Sequence, residues 1–260
     1  MPNVLDDGQS YCGDLSESRG LLTPKWVIAH LVVLLAVVLF VRLGIWQLER
    51  LEDRRTENAV GEERFSGEAV VLSDLLEAAD GDLESLEYRR GLATGVFDPE
   101  DEVLIRSQVH LGTAGFHVLT PLVGEGGDAV LVNRGWIPLV LDEVPVAEAP
   151  PPEGVVTVEG WVHRSQEKPP FGPTDPEDGR LTAMSRVDID RIQDQTTTTL
   201  APVYLVALDD PDGELPVPVK PPVFDDEGPH LAYAIQWFAF ALIAFIGYGF
   251  LLRKQTQASD

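Results

Sequence analysis

Two long apolar runs, one near each end, dominate the hydrophobic pattern of this chain. Residues 26–46 (WVIAHLVVLLAVVLFVRLGIW) contain only two ionisable side chains, His30 and Arg42. Residues 231–252 (LAYAIQWFAFALIAFIGYGFLL) contain no charged side chain. About 20 consecutive apolar residues cross the hydrocarbon core of a bilayer. The pattern therefore predicts two transmembrane helices, over residues 26–46 and 230–252.

The flanks of these runs indicate a topology. The first run is longer than the apolar core of a signal peptide, and no small-residue cleavage site follows it, so we interpret it as an anchor. Arg253 and Lys254 directly follow the second run, and basic residues favour the cytoplasmic side. We therefore expect the tails, residues 1–25 and 253–260, in the cytoplasm and residues 47–229 outside the cell membrane.

Between the two runs, short segments of alternating polarity separated by turn signals predict β-strands. Residues 124–128 (GEGGD) are typical of a hairpin loop, and short helices are predicted at residues 72–79 and 187–195. No long crossover helix joins the strands, so we expect an exported α+β domain dominated by an antiparallel sheet or a small open barrel. The predicted strands cover residues 88–97, 102–109, 116–123, 129–136, 155–163 and 201–208.

The charge of the chain is concentrated in this middle segment. Residues 47–229 hold 38 acidic and 14 basic side chains, which accounts for the whole formal net charge of −24. Such a segment repels nucleic-acid phosphates, so nucleic-acid binding is not expected, and it indicates a solvated acidic surface or a cationic partner. The single cysteine, Cys12, excludes an intrachain disulfide and a multi-cysteine metal site.

Motifs that would mark a common enzyme are absent from the sequence. It contains no nucleotide-binding glycine motif, no HExxH, no CxxC and no GxSxG. His110, His117 and His163 lie among the predicted strands, but their spacing matches no metal-ligand motif. Ordinary surface or loop histidines are the better interpretation. We therefore expect a protein that is not an enzyme, with a membrane-anchored hydrolase using these histidines as the less favoured alternative.

Five other residues are candidates for function. His30 lies within the first apolar run, where we expect it to hydrogen-bond the partner helix. His230 precedes the second run, and it either caps a helix at the interface or provides a neutral imidazole to a haem iron. Tyr233 and Trp237 would suit a porphyrin edge or an interfacial aromatic belt. Arg134 ends an apolar strand, where it either pairs with an acid or binds a carboxylate such as a haem propionate.

Three signatures in the sequence resemble the surfeit-locus family of cytochrome oxidase assembly factors. The resemblance covers most of the chain from Trp26 onward, and the order of the signatures along the chain adds to its specificity. The signatures are residues 44–50 (GIWQLER) at the end of the first apolar run, residues 115–122 (GFHVLTPL) with 130–138 (VLVNRGWIP) in the strand region, and residues 230–238 (HLAYAIQWF).

This resemblance implies an assembly factor for a haem a-containing cytochrome c oxidase that assists the insertion of haem a into the catalytic subunit. It implies that His230 is the iron ligand and that Tyr233, Trp237 and Arg134 belong to the haem site. The catalytic subunit is then the main partner, and haem A synthase is a second candidate. The alternative is a membrane-anchored scaffold that binds oxidase subunits without binding haem.

Two polar residues after the first apolar run, Gln47 and Arg50, are further candidates for contacts to the haem propionates or to a partner. The acidic N-terminal tail does not resemble a mitochondrial transit peptide. We therefore expect the protein in a bacterial cell membrane, with the lipid bilayer around both of its spans.

Overall fold

The computed structural model of the protein contains two compact units. One comprises the residues up to 57 together with those from 225 onward, and the other comprises residues 58–224. Predictions about the N-terminal tail, including Cys12, lie outside the described residues. The structure describes residues 23–166, 168, 174–208 and 215–257. Within these ranges the α-helices are α1 (Pro24–Ser66), α2 (Leu72–Ala79), α3 (Ile189–Gln193) and α4 (His230–Gln257).

Helices α1 and α4 are the two helices of the described chain that are long and apolar enough to cross a membrane. Only 6% of the apolar window of each helix is buried, whereas a core helix of a soluble protein would be mostly buried. The pair is therefore compatible with a two-span membrane protein. The side of the membrane on which residues 47–229 lie stays a prediction.

Within the first unit, α1 and α4 pack antiparallel. His30, near the start of α1, shares a hydrogen bond through Nδ1 with the hydroxyl of Tyr248, near the end of α4. The predicted contact of His30 with the partner helix is thus confirmed. At Gly44 the helices approach closely, since a Cβ atom placed there would lie 2.7 Å from the ring of Phe238. The missing side chain therefore lets this ring rest against α1.

The second unit is a β-barrel closed by five strands. In the order β2, β6, β8, β5 and β4, each strand pairs with the next, and β4 pairs back with β2 through Val96 with Val123 and Phe97 with Leu122. The strands are β1 (Val70–Val71), β2 (Arg90–Phe97), β3 (Val103–His110), β4 (Thr113–Val123), β5 (Ala129–Pro138), β6 (Val156–Arg164), β7 (Ala183–Met184) and β8 (Leu200–Ala207).

All six predicted strands are present, but the predicted open barrel is closed and the sheet is not purely antiparallel. Strand β8 lies between β5 and β6, pairing parallel with the first and antiparallel with the second. Alternation of side chains identifies an extended segment but not its partner, so the parallel pair and the closure could not be predicted. The two-residue strands β1 and β7 are too short to show any alternation.

Strand β5 explains how the barrel is filled. Leu131 packs into one hydrophobic cluster, whereas its neighbours Val130 and Val132 pack into another. Because successive side chains of a strand point to opposite faces, both faces of β5 are covered. This is why its residues are buried from Ala129 to Ile137 and why its sequence is almost continuously apolar.

Candidate functional site

The candidate site lies in the first unit, where α4 begins at His230. A tight turn precedes the helix: Gly228 has φ +67°, and its N–H donates to the Oδ1 of Asp226 over 2.8 Å. Glycine adopts this left-handed conformation at little cost, and Pro229 cannot donate a backbone hydrogen bond. The turn therefore fixes where the helix starts and places the imidazole at its first residue.

Gln47 of α1 holds the His230 ring. The Oε1 of Gln47, whose residue is only 8% exposed, lies 2.9 Å from Nδ1 of His230. An amide oxygen can only accept, so Nδ1 donates this hydrogen bond, and in the neutral form of the imidazole the lone pair lies on Nε2. Nε2 has no hydrogen-bond partner among the residues that the structure describes. It lies beside Gly228, where a Cβ atom would be 3.5 Å from Nε2. The ring is therefore oriented, with Nε2 as the nitrogen that can bind a metal.

The two predicted aromatic residues lie one and two turns beyond His230, on the same side of α4. The ring of Trp237 stacks on Phe40 of α1, with centroids 5.8 Å apart. Tyr233 remains 47% exposed. Trp237 is thus part of the contact between the helices, whereas Tyr233 is accessible to a ligand beside His230.

Charged side chains of α1 beyond Gln47 form ion pairs, one of them with the segment before α4. Arg50, one turn further along α1, makes an exposed 3.4 Å ion pair with Asp53. Arg55 binds both carboxylate oxygens of Glu227, at 2.7 and 3.0 Å. This hydrogen-bonded pair raises the pKa of Arg55 and lowers the pKa of Glu227. The bidentate contact joins the segment before α4 to α1, while the weakly engaged Arg50 is available to an anionic group.

Arg134 belongs to the other unit, where it lies on β5 and is only 3% exposed. Its Nε donates to Thr120 Oγ1 over 2.9 Å, and its Nη2 donates to Glu102 Oε2 over 2.9 Å and to the Ala149 carbonyl over 2.7 Å. Glu102 also accepts from the N–H of Val146, and its side chain is completely buried. Of the two roles left open by the sequence, the structure shows pairing with an acid. A role for Arg134 toward a propionate stays an untested prediction.

The three histidines of the strand region contact other residues of the barrel unit, and the ring of His110 lies 5.3 Å from that of Trp136. His117 Nδ1 accepts from the Asn133 side chain over 3.1 Å, and burial lowers the pKa of His117 to about 4. His163 accepts from Trp161 Nε1 over 3.0 Å and contacts Glu87 through Nδ1. The described part of the chain holds no group of three or more His, Cys, Asp or Glu residues that could bind a metal ion.

Comparison with known proteins assigns the chain to a family. The profile of the SURF1 family matches residues 34–242. The chain belongs to the SURF1 family. This is the surfeit-locus family that the three signatures resemble, generally known as cytochrome oxidase assembly factors.

Relatives of this family member span bacteria and eukaryotes. A SURF1-like protein of Mycobacterium tuberculosis H37Rv is 33% identical over 242 residues, which cover 92% of this chain and 87% of the relative. A SURF1-like protein of Monosiga brevicollis is 29% identical over 237 residues, covering 84% and 85%. Surfeit locus protein 1 of Arabidopsis thaliana is 32% identical over 124 residues, covering 44% and 34%. The family profile covers the barrel unit and parts of α1 and α4, and the first two relatives match over most of both chains.

The contact between Gln47 and His230 is the feature that the sequence did not predict. The sequence makes both residues candidates, but it indicates propionates or a partner, rather than the histidine, as the contact of Gln47. They are 183 positions apart, so no local pattern connects them. The available signal is that each is a polar residue at the end of an apolar run that adjoins the middle segment.

Proposed function

We propose that this SURF1 family protein assists the assembly of a haem a-containing cytochrome c oxidase by holding haem a through Nε2 of His230 before the haem enters the catalytic subunit. The observation that supports the proposal most is the hydrogen bond from His230 Nδ1 to the buried Gln47. Imidazole nitrogen is the common axial ligand of haem iron, and a hydrogen bond at the opposite ring nitrogen orients such a ligand. Haem a is the cargo in this proposal.

The residues around His230 have different roles in binding the haem. Gln47 fixes the imidazole and keeps its proton away from Nε2. Tyr233 is exposed beside the ring and offers an aromatic surface to the edge of the macrocycle. Arg50, whose ion pair is long and exposed, can turn to a propionate. A single neutral ligand in an open setting suits a carrier, because the iron must later exchange this ligand for those of the oxidase.

The proposal also places the site in a membrane. Helices α1 and α4 cross the cell membrane, both termini lie in the cytoplasm, and the barrel lies outside. Because Gln47 and His230 stand at the ends of their apolar runs, the imidazole lies near the outer interface. An amphiphilic cargo with a lipid-soluble macrocycle and charged propionates fits such a depth. The catalytic subunit and haem A synthase are the partners that this role requires.

A scaffold that binds oxidase subunits without haem is the second candidate. The stacking of Trp237 on Phe40 favours it, because one of the residues assigned to haem is engaged between the helices. In a scaffold, the outward aromatic and aliphatic side chains of α4 would pack against helices of the oxidase. The two candidates differ in whether the purified protein carries haem a.

The visible spectrum of the purified protein separates the candidates. Full-length protein is isolated from cells that make haem a, and its reduced-minus-oxidised spectrum is compared with those of His230→Ala and His30→Ala. His30 is the matched control because it also forms a hydrogen bond across the two helices, to Tyr248. We expect the haem a band in the wild type and in His30→Ala and its loss in His230→Ala.

Two other results would contradict the haem proposal. If His230→Ala retained as much haem a as the wild type, another residue would bind the iron. If the wild type carried no haem a but captured the oxidase catalytic subunit, and His230→Ala did the same, the scaffold would be the better account.

A further inference from the structure

A second polar site lies in the barrel unit, at a cavity of about 610 Å³ beside the end of α1. Three of its lining residues are arginines: Arg64, Arg89 and Arg90. The chain has 43 acidic and 19 basic side chains, so most of its surface is expected to be acidic. Three arginines around one cavity therefore form a local exception to the charge of the protein.

Main-chain carbonyls, rather than carboxylates, hold two of these arginines. Arg64 Nη1 donates to the carbonyl of Glu84 over 2.9 Å, and Arg89 Nε donates to the carbonyl of Ser85 over 3.1 Å. Both carbonyls belong to the 3₁₀ turn Leu83–Leu86. Neither guanidinium forms a salt bridge within the part of the chain that the structure describes. The turn therefore holds two guanidinium groups at the same cavity without neutralising them.

The third arginine adds an unused donor. Arg90 pairs with Glu159 through Nη2, but its Nε is buried and has no hydrogen-bond partner in the described structure. A buried donor without a partner is costly, so Arg90 is held less favourably than the other two arginines. Glu63 and Glu68 also line the cavity, so its rim carries both signs of charge. A single phosphate group that reaches the arginines avoids much of the repulsion from these two carboxylates.

We propose that this cavity binds a phosphate group through the guanidinium groups of Arg64 and Arg89. Guanidinium forks match the oxygens of phosphate in two-point contacts, and a tetrahedral anion can accept from two forks at once. The volume leaves room for a group attached to the phosphate. The source of the phosphate is either a free monoester or the diester headgroup of a phospholipid. This site is independent of the haem function proposed for His230.

Calorimetric titration of the full-length protein in detergent with inorganic phosphate tests the proposal. We expect saturable binding at one site with a Kd of about 1 mM or tighter. The double variant Arg64→Gln with Arg89→Gln should bind at least about tenfold more weakly, because each charge-assisted contact contributes about that factor. Arg191→Gln is the matched control, since its Nε likewise donates to a main-chain carbonyl, that of Pro176, over 3.0 Å.

A variant that should bind phosphate more tightly keeps the test decisive if the arginine variants fold poorly. Replacing Glu63 and Glu68 together with glutamine removes two negative charges from the rim and should tighten phosphate binding severalfold. The proposal is overturned if the wild type shows no saturable binding. It is also overturned if Arg191→Gln weakens binding as much as the double arginine variant, or if the glutamate double variant leaves the affinity unchanged.

Two water-soluble ligands identify the source of the phosphate. Glycerol 3-phosphate is a monoester, and glycerophosphoglycerol is the deacylated diester headgroup of phosphatidylglycerol. Binding of the monoester alone supports a free phosphorylated ligand. Binding of both, with the same loss in the double arginine variant, supports a lipid headgroup as a ligand of this cavity.

Discussion

Breaking the buried ion pair between Glu102 and Arg134 tests whether this arginine supports the barrel or binds a ligand. The two side chains are 0% and 3% exposed, and their closest atoms are 2.9 Å apart. Replacing Arg134 with methionine leaves the Glu102 carboxylate buried without a cation. Losing one partner of a buried pair costs about 3–5 kcal/mol. Because whole domains are stable by only about 5–15 kcal/mol, this single change should remove a large part of the stability.

The structure also predicts the sign of the coupling between the two residues. Glu102→Gln strands the buried guanidinium, so it should cost a similar amount, about 3–5 kcal/mol. In the double variant Glu102→Gln with Arg134→Met, no uncompensated charge remains. The double variant should therefore lose no more stability than either single variant, although the separate losses would add to about twice that.

Urea unfolding of the full-length protein in detergent, followed by circular dichroism, measures these losses. Arg180→Met is the control within the barrel unit, because Arg180 pairs with Asp101 over 2.9 Å while remaining 51% exposed. Its expected cost is below about 1 kcal/mol. The reasoning fails if Arg134→Met costs as little as Arg180→Met. If Arg134→Met kept its stability yet lost haem a, the propionate role predicted for Arg134 would replace the structural one.

Two further predictions concern Gln47 and His117. Gln47→Leu removes the acceptor for His230 Nδ1 and should weaken haem a retention about 10- to 100-fold. Gln47→Glu keeps an acceptor and should retain haem a, and Gln236→Leu, which changes an exposed glutamine of α4, should have no effect. Quantitative spectra of the purified variants measure haem a retention, and equal retention by Gln47→Leu and the wild type would contradict the positioning role. Burial lowers the pKa of His117 from 6.5 to about 4, so the unfolded chain binds more protons between these values and stability should fall by roughly 3 kcal/mol as the pH drops from 6.5 to 4. His117→Gln should flatten this part of the pH profile in urea unfolding, and an unchanged slope would show that another group causes it.

The sequence predicted the elements of this fold better than their arrangement. The apolar runs and the alternating segments mark α1, α4 and six strands, because burial on one face or in lipid leaves a local period. Pairing of β8 between β5 and β6 leaves no such period, since it depends on segments more than 35 residues apart. The same holds for the site. His230 could be recognised from its position before an apolar run, but its hydrogen bond to Gln47 is a property of the packed helices.

Two of the three sequence signatures meet at the candidate ligand site, whereas the signature that contains Arg134 contributes to buried contacts of the barrel unit. In the first unit, the signatures of α1 and α4 meet in space: Gly44 receives Phe238, and Gln47 holds His230. This pairing leaves one imidazole nitrogen open, which is what a ligand site needs. In the barrel unit, the signature residue Arg134 is enclosed by Glu102, Thr120 and the Ala149 carbonyl. Nη1 of Arg134 is buried without a partner among the described residues, but Nη2 neutralises the buried Glu102. Loss of Arg134 should therefore destabilise this unit, so its variants would impair assembly even if Arg134 never contacts haem. Stability and haem content must therefore be measured on the same variants before a role in haem binding is assigned to a residue.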